Sequence, residues 1–146
     1  MKTALILFSW GLAVVTVGLL PAMAGPGTEE KPSSRKAATS SAIRKAGVAE
    51  FEKLWQEKTN VVLDVRTKKE FDAGHIPGAV NLDINGPDFE RKLGGLSKEK
   101  TYLVHCAAGV RSARACEKMR AFGFSHLVDL APGFKEWEKA GKKVEK

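Results

Sequence analysis

The sequence predicts an α/β domain of three layers, a mostly parallel central sheet flanked by helices. Three observations carry that expectation. Short apolar runs, of which Val61-Val62-Leu63 is the clearest, have the composition of strands buried on both faces. Stretches with apolar residues at helical spacing alternate with these runs. Glycines punctuate the joins, so each strand is followed by a helix-length connection, and parallel pairing is the arrangement such connections allow.

In chain order, Val48, Phe51, Leu54 and Trp55 mark an amphipathic helix from about Val48 to Glu57. Val61 to Val65 is the first strand, and the polar stretch Thr67 to Ala73 forms a short helix stopped by Gly74. Gly78 to Leu82 is a second strand, and Asp88 to Leu93 a short helical stretch ending at Gly94-Gly95. Thr101 to His105 is the next strand, Arg111 to Phe122 the next helix with Gly123 at its end, His126 to Leu130 a further strand, and Phe134 to Ala140 a last helix. These elements fill residues 47–146, one domain with one core.

The residues ahead of it read differently. Lys2, the apolar run Ala4 to Leu20 and the small residues of Ala22-Met23-Ala24 have the order of a secretory signal peptide, residues 1–24, cleaved after Ala24. Retention of residues 4–20 as a membrane anchor is the alternative, since the run is close to a bilayer span. The expectation is an exported protein, periplasmic or extracellular. Residues 25–46 are rich in Gly, Pro, Ser, Thr and charge and read as a disordered linker.

The formal charge of the chain is +7. Lys2 leaves with the leader, and the linker holds Lys31, Arg35, Lys36, Arg44 and Lys45 against Glu29 and Glu30, so the domain itself is only mildly basic. Its lysines are interleaved with acids, as in Lys135-Glu136 and Glu138-Lys139, and no aromatic residues alternate with basic ones. A nucleic-acid partner gains no support from this pattern.

The chemistry-bearing feature is Cys106, set between a strand and a helix in His105-Cys106-Ala107-Ala108-Gly109-Val110-Arg111-Ser112. Four small or apolar residues part the thiol from Arg111, so the backbone can curl around the sulfur. Inward-pointing amides, the positive end of the following helix and the Arg111 charge all favour a thiolate in such a loop. The same position also suits a buried small hydrophobe closing a core strand. Placement at the carboxyl end of a parallel strand, where ligands bind, tips the balance toward function. Cys116 falls on an apolar stripe with Ala115, Met119 and Phe122 inside the next helix, too far along it to bridge Cys106, and reads as packing.

Three stretches together resemble the rhodanese family of single-domain sulfurtransferases. They are Leu63-Asp64-Val65-Arg66 with Glu70-Phe71 and Gly74-His75-Ile76-Pro77-Gly78-Ala79; the Cys106 to Ser112 loop; and Val128-Asp129-Leu130 through Gly133-Phe134 to Trp137. The resemblance implies a rhodanese-like fold and a two-step transfer. Cys106 takes sulfane sulfur from thiosulfate or a mercapto acid as a persulfide, and cyanide or a thiol removes it, with no cofactor or metal. It implies catalytic roles for Cys106 and Arg111 and a substrate-binding loop of Ala107, Ala108, Gly109, Val110 and Ser112. Related phosphatases of the cell-cycle type place five residues between cysteine and arginine, and the four found here suit the smaller sulfur atom. A non-catalytic rhodanese-like module for binding or redox sensing is the alternative.

Two departures from the family pattern bear on substrate. Ala107 stands where many members carry a basic or amide side chain, which leaves Arg111, with Arg114, to meet an anionic donor. Ala131-Pro132-Gly133 replaces a commoner Gly-Gly pair and stiffens that turn. His105 reads as packing, because neighbouring strand residues point to opposite faces. Asp64 and Arg66 read as supports that fix nearby loops by charge-assisted hydrogen bonds, and His75 as a residue pinning a turn. A monomer is expected, with membrane contact only if the leader is retained.

Overall fold

The structure is a computed structural model, and it describes residues 42–146; the leader and the linker up to residue 41 lie outside the described residues. The elements run β1 (Arg44–Ala46), α1 (Val48–Gln56), β2 (Val61–Asp64), α2 (Lys68–Ala73), β3 (Val80–Asn81), α3 (Phe89–Leu93), β4 (Tyr102–His105), α4 (Val110–Ala121), β5 (Leu127–Leu130) and α5 (Gly133–Lys139). One sheet of five strands holds them in the order β1-β5-β4-β2-β3. Every pairing between these strands is parallel.

Alternation along the strands divides the core between the two faces of the sheet. On β4, Tyr102 and Val104 point to a cluster with Leu63 of β2, Phe89 and Leu93 of α3, and Cys116 and Met119 of α4. Leu103 points the other way, into Phe51, Phe134 and Trp137 of α1 and α5. All four residues of β4 and of β5 are buried, so the apolar runs of the sequence are strands covered on both sides.

Two expectations change. Arg44–Ala46, taken from composition as the end of a disordered linker, form the edge strand β1, in register with Val128 to Leu130. Only Ala46 of that strand is buried, so two exposed charges conceal it; charged residues are what an edge strand tolerates. The strand expected over Gly78 to Leu82 contracts to Val80–Asn81, because Gly78 turns with φ of 76° and Leu82 then leaves the pleat, although its N–H still reaches the Asp64 carbonyl. The remaining boundaries agree within a residue or so.

Candidate functional site

The carboxyl ends of β2, β4 and β5 release three turns side by side, and Cys106 opens the central one. Its side chain is 1% exposed. The Gly109 N–H donates to its Sγ at 3.2 Å. Gly109 holds φ of 87° as it hands the chain to α4, a left-handed conformation that glycine adopts without strain. A Cβ there would also collide with the Ala131 carbonyl oxygen.

Cys106 and His105 point to opposite faces. Cys106 joins the α3 and α4 side of the core. His105 packs edge-on to Phe51, with centroids 6.5 Å apart, and stacks on Phe134 at 5.8 Å. Its ring nitrogens have no hydrogen-bond partner, and burial pushes its pKa down to about 4, against a smaller opposing pull from Asp64. It is a packed neutral imidazole with no contact to the thiol.

The turn after β5 clasps the cysteine loop from the side. Phe134 N–H donates to the Cys106 carbonyl at 2.7 Å, and Lys135 N–H to the Ala107 carbonyl at 3.1 Å. Gly133, at φ of 75°, lies so close that a Cβ would stand 2.5 Å from the Ala108 nitrogen. From below, Ser112 is fully buried and its Oγ donates to the Gly109 carbonyl at 3.0 Å. Ser112 therefore braces the loop from beneath, whereas Ala107, Ala108 and Val110 line its outer surface.

Arg111 reaches over the loop to Glu70. Its two terminal nitrogens donate to the two carboxylate oxygens at 2.8 and 2.7 Å, a bidentate fork. Glu70 is itself held by a capping box, accepting from the Thr67 N–H and hydroxyl at 3.1 and 2.9 Å while the Thr67 side chain accepts the Glu70 N–H. Hydrogen bonding to Arg111, then to Thr67, lowers the Glu70 pKa to about 2 against the opposing effect of its burial. Glu70 raises the Arg111 pKa, and Cys106 and Asp83 add smaller contributions of the same sign. This partnership was not read from the sequence. The Thr67-x-x-Glu70 spacing of a capping box was its available signal.

Asp64 and Arg66 form a buried clamp at the end of β2. Arg66 Nη2 donates to Asp64 Oδ2 at 2.6 Å, its backbone N–H to Oδ1 at 2.9 Å, and Nη2 also to the Gly74 carbonyl at 2.7 Å. The guanidinium lies 4.0 Å from the centroid of Phe134. The clamp thus positions α2 and the Phe134 turn together. His75 joins the C-terminus instead, exchanging backbone hydrogen bonds with Glu145 and placing Nε2 3.1 Å from its carboxylate. Arg114, expected beside the loop, is exposed and lines a groove with Lys45, Glu117 and Asp129. Both cysteines are unbridged thiols, and burial drives the Cys116 pKa far up. Among the described residues, no group of His, Cys, Asp and Glu could hold a metal ion.

The chain is 33% identical over 93 residues to thiosulfate sulfurtransferase 16, chloroplastic, of Arabidopsis thaliana, covering 54% of this chain and 74% of that protein. It is 30% identical over 76 residues to a putative sulfur carrier protein of Bacillus subtilis, covering 52% of this chain and 40% of the relative. It spans about half the length of several such relatives. The crystal structure of a rhodanese-related protein from Thermoplasma volcanium superposes with a TM-score of 0.63 at 29% identity, covering 70% of this chain and 98% of the other. The rhodanese-like domain model matches residues 47–140, the span that contains the cysteine loop, its bracing turn and the Asp64-Arg66 clamp, and the chain belongs to that family.

Proposed function

We propose that this chain is a sulfurtransferase that carries sulfane sulfur on Cys106. The observation that carries the reading is the cysteine loop itself. A buried Sγ receives the Gly109 N–H at the head of α4, with four residues between Cys106 and Arg111. In the first step the Cys106 thiolate attacks the outer sulfur of the donor. With thiosulfate the S–S bond breaks and sulfite leaves with the electron pair; a persulfide remains on the enzyme. In the second step cyanide or a thiol attacks the outer sulfur and the Cys106 thiolate is the leaving group. The Gly109 amide is the donor placed to hold negative charge at the sulfur, and the helix end behind it acts in the same sense.

The four-residue span between cysteine and arginine supports sulfur over phosphate as cargo. The names of the sulfurtransferase and sulfur-carrier relatives point the same way. Export rests on the leader reading of residues 1–24 and places the reaction in the periplasm or outside the cell. Steady-state transfer of sulfur to cyanide tests the activity. Cys106→Ser is expected to abolish it, and Arg111→Ala to slow sulfur loading while the protein stays folded. Full turnover by Cys106→Ser defeats the reading.

A further inference from the structure

A second chemistry lies away from the cysteine loop, between α4 and the edge of the sheet. Asp129 alternates along β5 with Val128 and Leu130, which face α1 and α5, so its side chain points to the α4 side. It is only 2% exposed, and its Oδ1 has no hydrogen-bond partner. Burial pushes its pKa up, while Ser112 and Lys45 pull the other way. Neither supplies the missing bond to Oδ1. The Ser112 hydroxyl donates to the Gly109 carbonyl at 3.0 Å, and Lys45, in register with Asp129 on β1, extends into solvent. A buried carboxylate oxygen left without a donor is costly, and such a group calls for an explanation.

Helix α4 packs on β4 and β5, and a groove of about 530 Å³ opens between it and the edge strand β1. That volume is ordinary for a small-molecule site. Asp129 lines it from β5, and Ile43 and Ala113 give it apolar walls. Two of its four cations are already paired, Lys118 with Glu90 and Arg120 with Glu117, both at 2.6 Å. Lys45 and Arg114 have no ion pair among the described residues. The groove therefore offers an unpartnered acid inside and two uncommitted bases at its exposed margin.

We propose that this groove binds a free α-amino acid with an apolar side chain, its ammonium on Asp129 and its carboxylate on Arg114 and Lys45. A simple anion would meet Asp129, and a simple cation would meet Lys45 and Arg114; a zwitterion answers both signs at once. An ammonium supplies the absent donor together with a charge that offsets the buried carboxylate. The apolar side chain lies against Ile43 and Ala113. The site is separate from Cys106 and does not rest on the sulfurtransferase reading.

The test titrates the full, reduced, isotope-labelled chain with L-leucine and follows the amides of Lys45 and Ala113 and the carboxyl carbon of Asp129 by NMR. Saturable shifts, largest at these positions, are expected. Isocaproate lacks the ammonium and isoamylamine lacks the carboxylate; each should bind about tenfold more weakly than leucine. Asp129→Asn keeps the shape and one acceptor oxygen without the charge, and Arg114→Ala changes only an exposed side chain. Each should weaken leucine binding by roughly three- to tenfold. No saturable shift in the groove, largest shifts at the cysteine loop, isocaproate binding as well as leucine, or affinity unmoved in both variants would each overturn the proposal. An Asp129 carboxyl that responds to Lys45→Ala and not to leucine would show that the edge lysine serves it, and overturns the proposal as well.

Discussion

His105 directly precedes Cys106, yet its chemistry is that of a core residue. Its pKa falls from 6.5 to about 4 because burial disfavours the imidazolium. The unfolded chain therefore binds a proton that the fold refuses between those values. The contribution to stability is fully present above pH 6.5 and is lost as the pH falls toward 4, by on the order of 3 kcal/mol over the whole interval. Melting temperature followed across that window should decline more steeply in the wild type than in His105→Leu. Parallel curves would mean that the imidazole takes up its proton in the fold. Glu70 titrates lower, toward pH 2, where protonation releases Arg111, so the two windows are separable. The packing role of His105 was legible from alternation along a strand. The Arg111 partner was not, because Glu70 lies 41 residues away and only the tertiary fold joins them.

At the scale of elements, the site is an interlock of two turns, after β4 and after β5. Ala131-Pro132-Gly133 reads locally as a stiff turn ahead of a helix, and the sequence shows that much. That Gly133 has no room for an added atom is visible only when the cysteine loop lies against it. Gly133→Ala combines an unfavourable left-handed φ with a collision against the backbone of Ala107 and Ala108. It should destabilise the fold by about 1–3 kcal/mol. Sulfur loading should fall by a larger factor than the stability loss explains, because the displaced atoms are the loop itself. Urea unfolding and loading rates on the same sample check both statements; an unchanged loading rate would separate the turn from the site. The strands β2, β4 and β5 were legible because burial on both faces demands apolar runs. The edge strand β1 was not, because its two exposed charges read as linker, and β3 was legible only as a longer strand, because Gly78 turns and Leu82 leaves the pleat.

Across the whole molecule, the sheet carries the site at its carboxyl end and its margins hold that end in shape. Strand β1 contributes more than an edge: the Ala131 N–H donates to the Ala46 carbonyl at 3.1 Å, and Ala131 is the residue that abuts Gly109. A chain that begins at Gly47 lacks β1 and leaves Ala131 untied. It should lose roughly 2–3 kcal/mol of unfolding free energy relative to the full chain, on the basis of a few backbone hydrogen bonds near 1 kcal/mol each. Equal urea midpoints would show that β1 is dispensable. At the other margin, His75 and Glu145 tie the C-terminus to the turn after α2. The family's motifs survive as one connected support, from the Asp64-Arg66 clamp through Phe134 to the loop around Cys106.

The most direct test of the central claim is the intact mass of the full, reduced chain after exposure to thiosulfate and, separately, to cysteine persulfide, with Cys106→Ser alongside. The account predicts the gain of one sulfur atom, absent in the variant and discharged by cyanide. A folded protein whose Cys106 alkylates readily but gains no sulfur from either donor would contradict it.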